Sequence, residues 1–184
     1  AVAIDLVAIH PYFTRASATF IMKHFAKTVR CTLASPWGPM TLAAHDDALV
    51  WVGFDGQKHA VDSSVWALAP THPILRLACD ELDQYFSGER RHFDVPLDLG
   101  GGTAFQQKVW RSLLDIAPGA TTTYGAISQS IGNPSAVRAV GGAIGRNPIS
   151  IIVPCHRVVG RGGALTGYAG GLPRKVALLQ LESR

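Results

Sequence analysis

Cys155 stands between an apolar run closed by a proline, Ile151-Ile152-Val153-Pro154, and the pair His156-Arg157. A thiol so placed has two readings. Packed among apolar neighbours it is an inert core residue. Beside His156, Arg157 and the last helix it meets groups that favour thiolate over thiol, and a free thiol ionises near pH ~8.5. A thiolate attacks carbon, so this stretch is the chain's main candidate for covalent chemistry. Neighbours in extended chain point to opposite sides, which keeps His156 from touching the Cys155 sulfur directly. The other cysteines, Cys31 and Cys79, lie far away in the sequence. Three widely spaced cysteines argue against a disulfide framework and for a reducing cytoplasm. None belongs to a C-x-x-C pair, and adjacent Cys and His rarely ligate one tetrahedral metal, so neither metal nor cofactor is expected.

The elements that must position this thiol fall into two segments meeting near Leu99-Gly100-Gly101-Gly102. Before the glycines, Val29–Ser35, Met40–His45 and Ala48–Phe54 read as three strands of an antiparallel meander. Pro36-Trp37-Gly38-Pro39 and Asp46-Asp47 form its turns. A helix is expected from Pro73 to Ser87, with Ile74, Leu77, Ala78, Leu82, Tyr85 and Phe86 as its apolar stripe and Gly88 as its stop. His92–Leu97 alternates like one more strand. No chemistry is visible in this half, and its Trp and Tyr residues read as core.

After the glycines the pattern turns helical. Thr103 with Gln106 forms a capping box for a helix through about Leu114. Helices at Tyr124 to Ile131 and Ser135 to Gly145, joined by Gly132-Asn133-Pro134, make a helix-turn-helix candidate. A last helix runs to about Glu182, opened by Pro173. Charge divides at the same place. Up to Gly102, eight Lys+Arg face eleven Asp+Glu, a net of −3; from Thr103, nine face two, a net of +7. A basic half beside an acidic one points to nucleic acid on the basic half, against the plainer alternative of a basic soluble surface. At 184 residues with 47% apolar and 16% charged, the chain suits one or two soluble domains. No run approaches the ~18 apolar residues of a membrane span, and no signal-peptide pattern opens the chain. The sequence starts without Met, so Met22, just before the first strand, is read as the functional start and residues 1–28 as an extension.

Pro154-Cys155-His156-Arg157-Val158 resembles the acceptor motif of the O6-alkylguanine-DNA alkyltransferases, also called methylated-DNA–protein-cysteine methyltransferases. The resemblance extends through Val140-Gly141-Gly142-Ala143, Asn147-Pro148 and Gly167-Tyr168-Ala169-Gly170-Gly171, in register from about Phe105 to Glu182. Ser35-Pro36 and Gly38 resemble the family's amino-terminal domain. Ile149-Ser150 and Tyr168-Ala169-Gly170-Gly171 look most like the constitutive bacterial members.

This resemblance implies an α+β fold. An N-terminal ribonuclease H-like α/β domain with an antiparallel sheet would span residues 29–98. A C-terminal, mostly helical domain with a winged-helix-like helix-turn-helix would span 99–184. The implied activity is direct-reversal DNA repair: irreversible transfer of a methyl or larger alkyl group from O6-alkylguanine in a flipped-out nucleotide to Cys155, once per protein. Activity on O4-alkylthymine stays open. His156 would act as base through a bridging water, with Glu182 orienting the far ring nitrogen. Tyr124 would serve the leaving guanine near its N3. Asn147 would tie the reactive loop to the second helix of the DNA-binding pair. Pro154, Val158, Tyr168 and Ala169 would line the base pocket, with backbone groups of Val158 and Ala169 reading base edges.

Arg138 would fill the space the extruded nucleotide leaves. Thr123, Tyr124, Asn133, Ser135, Ala136, Val137, Ala139 and Gly141 would complete the DNA-facing surface, small enough to enter the minor groove. The implied partner is double-stranded DNA, met by a monomer, with no membrane. Two departures matter: Arg146 sits one place from the family's usual basic residue, and the Cys/His zinc pattern of some members is missing. Without the resemblance, Glu182 reads as a solvated residue near the terminus, Tyr124 as packing, and the small residues as tight helix contacts. Two rivals remain, a damage sensor that binds without transfer and a cysteine hydrolase using Cys155 and His156.

Overall fold

The computed structural model describes residues 27–183. The expectations about Met22 and residues 1–26 lie outside them, whereas Thr28 is already buried at the entry to the first strand.

Strands β1 (Val29–Ser35), β2 (Gly38–His45) and β3 (Ala48–Phe54) form the expected meander, pairing antiparallel in succession. Gly38 closes the first turn with φ 112°, a left-handed value that costs glycine little. A strand the sequence did not suggest, β4 (Ala67–Leu68), joins parallel to β1, so the sheet order is β3-β2-β1-β4. Two exposed residues carry no alternation to read.

Helix α1 (Pro73–Ser87) covers one sheet face and stops at Gly88, whose φ is 85°. Its buried stripe is Leu75, Ala78, Leu82 and Tyr85, spaced three, four and three, as one helix face requires. Leu77, expected in that stripe, falls off this register and is 39% exposed. The strand expected at His92–Leu97 is absent. Only Leu97 makes a bridge, to Leu49. The amides of Asp94 and Val95 bond instead to the buried Glu81 carboxylate, at 3.1 and 3.2 Å, and Pro96 has no N–H to give.

In the second half, α2 (Ala104–Leu113) carries the Thr103/Gln106 capping box with both bonds formed. After β5 (Thr122–Thr123) come α3 (Tyr124–Ser130) and α4 (Val137–Ile144). Trp110 of α2 donates its indole N–H to Ala143 O at 2.8 Å, fixing α4 against α2. Strand β6 (Val158–Val159) pairs parallel with β5, and α5 (Leu172–Glu182) closes the chain. The fold is mixed α+β: a sheet domain followed by a helical one. Among the described residues no helix is long and apolar enough to cross a membrane.

The two halves share one core and one edge. Beyond Leu97, the outer side of β3 takes up residues 148–150: Val52 N–H donates to Pro148 O at 2.9 Å, and Ser150 N–H to Val52 O at 2.8 Å. The segment that leads to Cys155 is therefore an added rung on the sheet of the first half.

Candidate active site

From that rung the chain turns sharply. Ile151 has φ 73°, unusual for a β-branched residue and worth about 1–3 kcal/mol of strain. Packing holds it there, since Ile151 is fully buried. Asn147 clamps the turn from inside: Nδ2 donates to Val153 O at 2.8 Å and to Ile149 O at 3.3 Å, and Oδ1 accepts Ile149 N–H at 3.1 Å. These bonds run within the loop; none of them reaches α4, to which Asn147 was expected to tie it.

Cys155, His156 and Arg157 form a single 3-10 turn, not extended chain. His156 is fully buried, and its Nε2 lies 2.9 Å from Glu182 Oε1. A carboxylate only accepts, so Nε2 carries the proton and Nδ1 keeps its lone pair. Nδ1 is buried without a hydrogen-bond partner among the described residues. Glu182 is no solvated terminal residue. Oε1 also accepts from the Tyr85 hydroxyl at 2.7 Å and Arg157 Nη2 at 2.8 Å; Oε2 accepts from Arg157 Nε at 2.9 Å and Gly119 N–H at 3.2 Å. Burial pushes the Glu182 pKa up, but bonds from His156, Arg157 and Tyr85 outweigh it and hold the carboxyl well below its usual range. Burial likewise lowers the pKa of His156 against the pull of Glu182, so the ring is neutral.

The thiol differs from expectation. Burial raises the pKa of Cys155, opposed by the Asn147 side chain and by the charge of Lys175. Arg157, expected to favour thiolate, is spent on Glu182 and on Ile116 O. Burial thus favours the neutral thiol over the thiolate at rest. Lys175, which the sequence reading missed, is fully buried and donates to the carbonyls of Val158, Thr166 and Gly167 at 2.6, 2.9 and 3.3 Å. Its only sequence signal is a cation amid the apolar residues of α5, a pattern equally suited to a solvated face.

Cys155 opens onto a cavity of about 150 Å³. That is an order of magnitude more than the roughly 10–15 Å³ one water needs. Tyr124, Gly141, Tyr168 and Ala169 of the expected residues line it, with Ile144, Gly145, Gly167, Lys58 and His59. The Tyr124 hydroxyl points across it, donating to Thr166 O at 3.2 Å, and burial keeps that hydroxyl protonated. Pro154 and Val158 are buried behind Cys155 and do not line the space. Val158 O already accepts from Lys175 and Ala169 O from the Lys58 N–H, which leaves each carbonyl one further lone pair. A larger cavity of about 380 Å³, lined by Trp51, Trp66 and Trp110, lies between sheet and α2 and shares His59 with the smaller one.

Outside the cavity, α3 and α4 present the remaining candidates. Thr123 caps α3 by accepting Ala126 N–H at 3.1 Å. Asn133 N–H bonds Ser128 O at 2.9 Å and Ser135 Oγ donates to Asn133 Oδ1 at 3.3 Å, shaping the turn. Val137, Arg138 and Ala139 are exposed, Ala136 and Gly141 half-buried. The Arg138 side chain has no polar partner among the described residues. Arg146 donates to Gly142 O at 3.1 Å.

Comparison with known proteins places both halves. Residues 29–99 match the model of the 6-O-methylguanine DNA methyltransferase ribonuclease-like domain, and residues 104–184 that of the same family's DNA binding domain. A methylated-DNA–protein-cysteine methyltransferase of Mycobacterium bovis is 51% identical over 151 residues, 82% of this chain and 90% of the relative. One from Methanosarcina acetivorans is 49% identical, covering 80% and 94%. The crystal structure of Mycobacterium tuberculosis O6-methylguanine methyltransferase superposes with TM-score 0.78 at 49% identity, covering 85% of this chain and 93% of that one. Mycobacterium tuberculosis OGT in complex with DNA superposes at 0.76 with 51% identity, covering 83% and 91%.

Proposed function

The chain belongs to the 6-O-methylguanine DNA methyltransferase family, and from that premise we propose that Cys155 is the alkyl acceptor and that each molecule reacts once. The activity is repair of DNA by alkyl transfer to a protein cysteine. The observation that carries the assignment is that Cys155 lines the 150 Å³ cavity while its chain neighbour His156 is pinned by Glu182 with a bare Nδ1.

The alkylated guanine enters the cavity extruded from the duplex. His156 Nδ1 takes the Cys155 proton through a water, and the sulfur attacks the alkyl carbon. The S–C bond forms as the C–O bond breaks, and its electron pair stays on guanine O6. Tyr124 donates to the guanine as that charge develops. Lys175, held beside the acceptor loop by three carbonyls, favours the passing thiolate. The product thioether is a poor electrophile, which supports a single turnover. The exposed run from Val137 to Ala139 faces the minor groove, with Arg138 entering the stack. One chain carries every site residue, which supports action as a monomer, and three free cysteines, two of them (Cys31 and Cys79) with sulfurs 3.6 Å apart and not bridged, suit a reducing cytoplasm.

The test is to incubate the protein with a duplex carrying one O6-methylguanine and weigh it intact. The expected result is one added methyl, mapped to Cys155, with yield capped at one per protein, and no addition to Cys155→Ala. Turnover beyond one, or methyl on Cys31 or Cys79, overturns the proposal.

A further inference from the structure

The loop after β3 belongs to the sheet domain, where the sequence showed no chemistry, yet it reaches the acceptor cavity. Three observations fix it there. Gln57 is buried, its Oε1 accepting Phe54 N–H at 2.9 Å, which anchors the loop's root. Lys58 N–H donates to Ala169 O at 3.0 Å, joining the loop to the far wall of the cavity. His59 has φ 58°, a left-handed value that costs a side-chain-bearing residue about 1 kcal/mol or more. His59 is exposed and lies where this cavity meets the larger one between the sheet and α2, lining both.

Lys58 and His59, both exposed, line the space that Cys155 lines, and neither side chain has a polar partner among the described residues. The rest of the lining mixes bulk, from Tyr124, Ile144 and Tyr168, with the bare backbone of Gly141, Gly145 and Gly167. We propose that Lys58 and His59 are specificity-determining residues: the N-terminal domain supplies the outer wall of the acceptor pocket, and these side chains limit the size of alkyl group that reaches Cys155.

The proposal rests on the alkyl-transfer reading above. Side chains that narrow the approach to the thiol slow transfer of a benzyl group more than of a methyl, and steric selection of this kind changes rates by about 10-fold or more. Lys58→Ala keeps the backbone N–H that bonds Ala169 O, and His59→Gly suits φ 58°, so the double variant retains the loop path and folds.

The experiment measures single-turnover rates on duplexes carrying O6-methylguanine or O6-benzylguanine, for the native chain and for Lys58→Ala/His59→Gly. The expected result is a benzyl-to-methyl rate ratio raised about tenfold or more. His59→Trp, which fills the same side, lowers that ratio. A ratio within twofold of the native one in both variants overturns the wall. Native protein that gains no alkyl group at Cys155 overturns the alkyl-transfer reading itself, so the two failures are separable.

Discussion

Five donated hydrogen bonds converge on the Glu182 carboxylate, from Tyr85, Gly119, His156 and both Nε and Nη2 of Arg157. Removing the charge strands a buried guanidinium. Glu182→Gln is therefore expected to cost about 3–5 kcal/mol, the range for breaking a buried ion pair from one side. Thermal unfolding should show it as a midpoint about 10 °C lower. An unchanged midpoint would mean the network is formed loosely. His156 gives a second expectation with a definite sign. Its folded pKa lies below its ordinary ~6.5, so between those values the unfolded chain binds more protons. Stability rises with pH across that window and is lost as pH falls from ~6.5 through the folded value. His156→Gln removes this titration, so its unfolding midpoint should move less between neutral and mildly acid pH than that of the native protein. Cys155, His156 and Glu182 were legible because a local motif and a register carried them. The raised thiol pKa and the caged Lys175 were not, because both come from burial by segments distant in sequence.

At the scale of elements, local chemistry was the reliable guide. Thr103 and Gln106 satisfy each other's backbone amides, so the start of α2 could be placed from four residues. The β1–β3 meander followed from alternation and its turns. The strand expected at 92–97 failed because Glu81, thirteen residues away, takes its amides. Period-two reading cannot see a side chain competing for the backbone. Leu77 failed for a simpler reason: with Leu75 also present, two apolar registers were available and tertiary contact chose one. The pair α3 and α4, proposed to face DNA, carries its own expectation. Arg138 is exposed on α4 and bonded to nothing among the described residues, which leaves it free for the proposed role in the stack. Arg138→Ala should slow repair of duplex O6-methylguanine by tenfold or more while leaving the reaction with free O6-benzylguanine nearly intact. Paired rate measurements decide it, and equal losses on both substrates would remove the stack-filling role.

Across the whole molecule, the sheet domain supports the acceptor. Its edge strand β3 holds residues 148–150, Arg174 of α5 spans to Trp37 O at 2.9 Å and sits 4.5 Å from the Phe54 ring centroid, and Tyr85 of α1 bonds Glu182. The resemblance read from the second half's motifs gave no hint of this dependence, since every partner lies across the glycine boundary. Tyr85 offers the cleanest measure of it. Its ring packs in the shared core, edge-on to Phe86 at 5.8 Å and tilted to Phe93 at 5.4 Å, while only its hydroxyl reaches Glu182. Tyr85→Phe keeps the ring and removes one bond to an ionised group, worth about 1.5–3 kcal/mol. With one fewer donor, Glu182 shares its charge among His156, Arg157 and Gly119, and the His156 ring loses part of its fixed orientation. The expectation is a melting midpoint lower by about 5 °C, with the rate of transfer to Cys155 reduced on duplex and free base alike, since the defect lies behind the thiol and not at the DNA surface. A loss confined to duplex substrate would place Tyr85 outside the proton path.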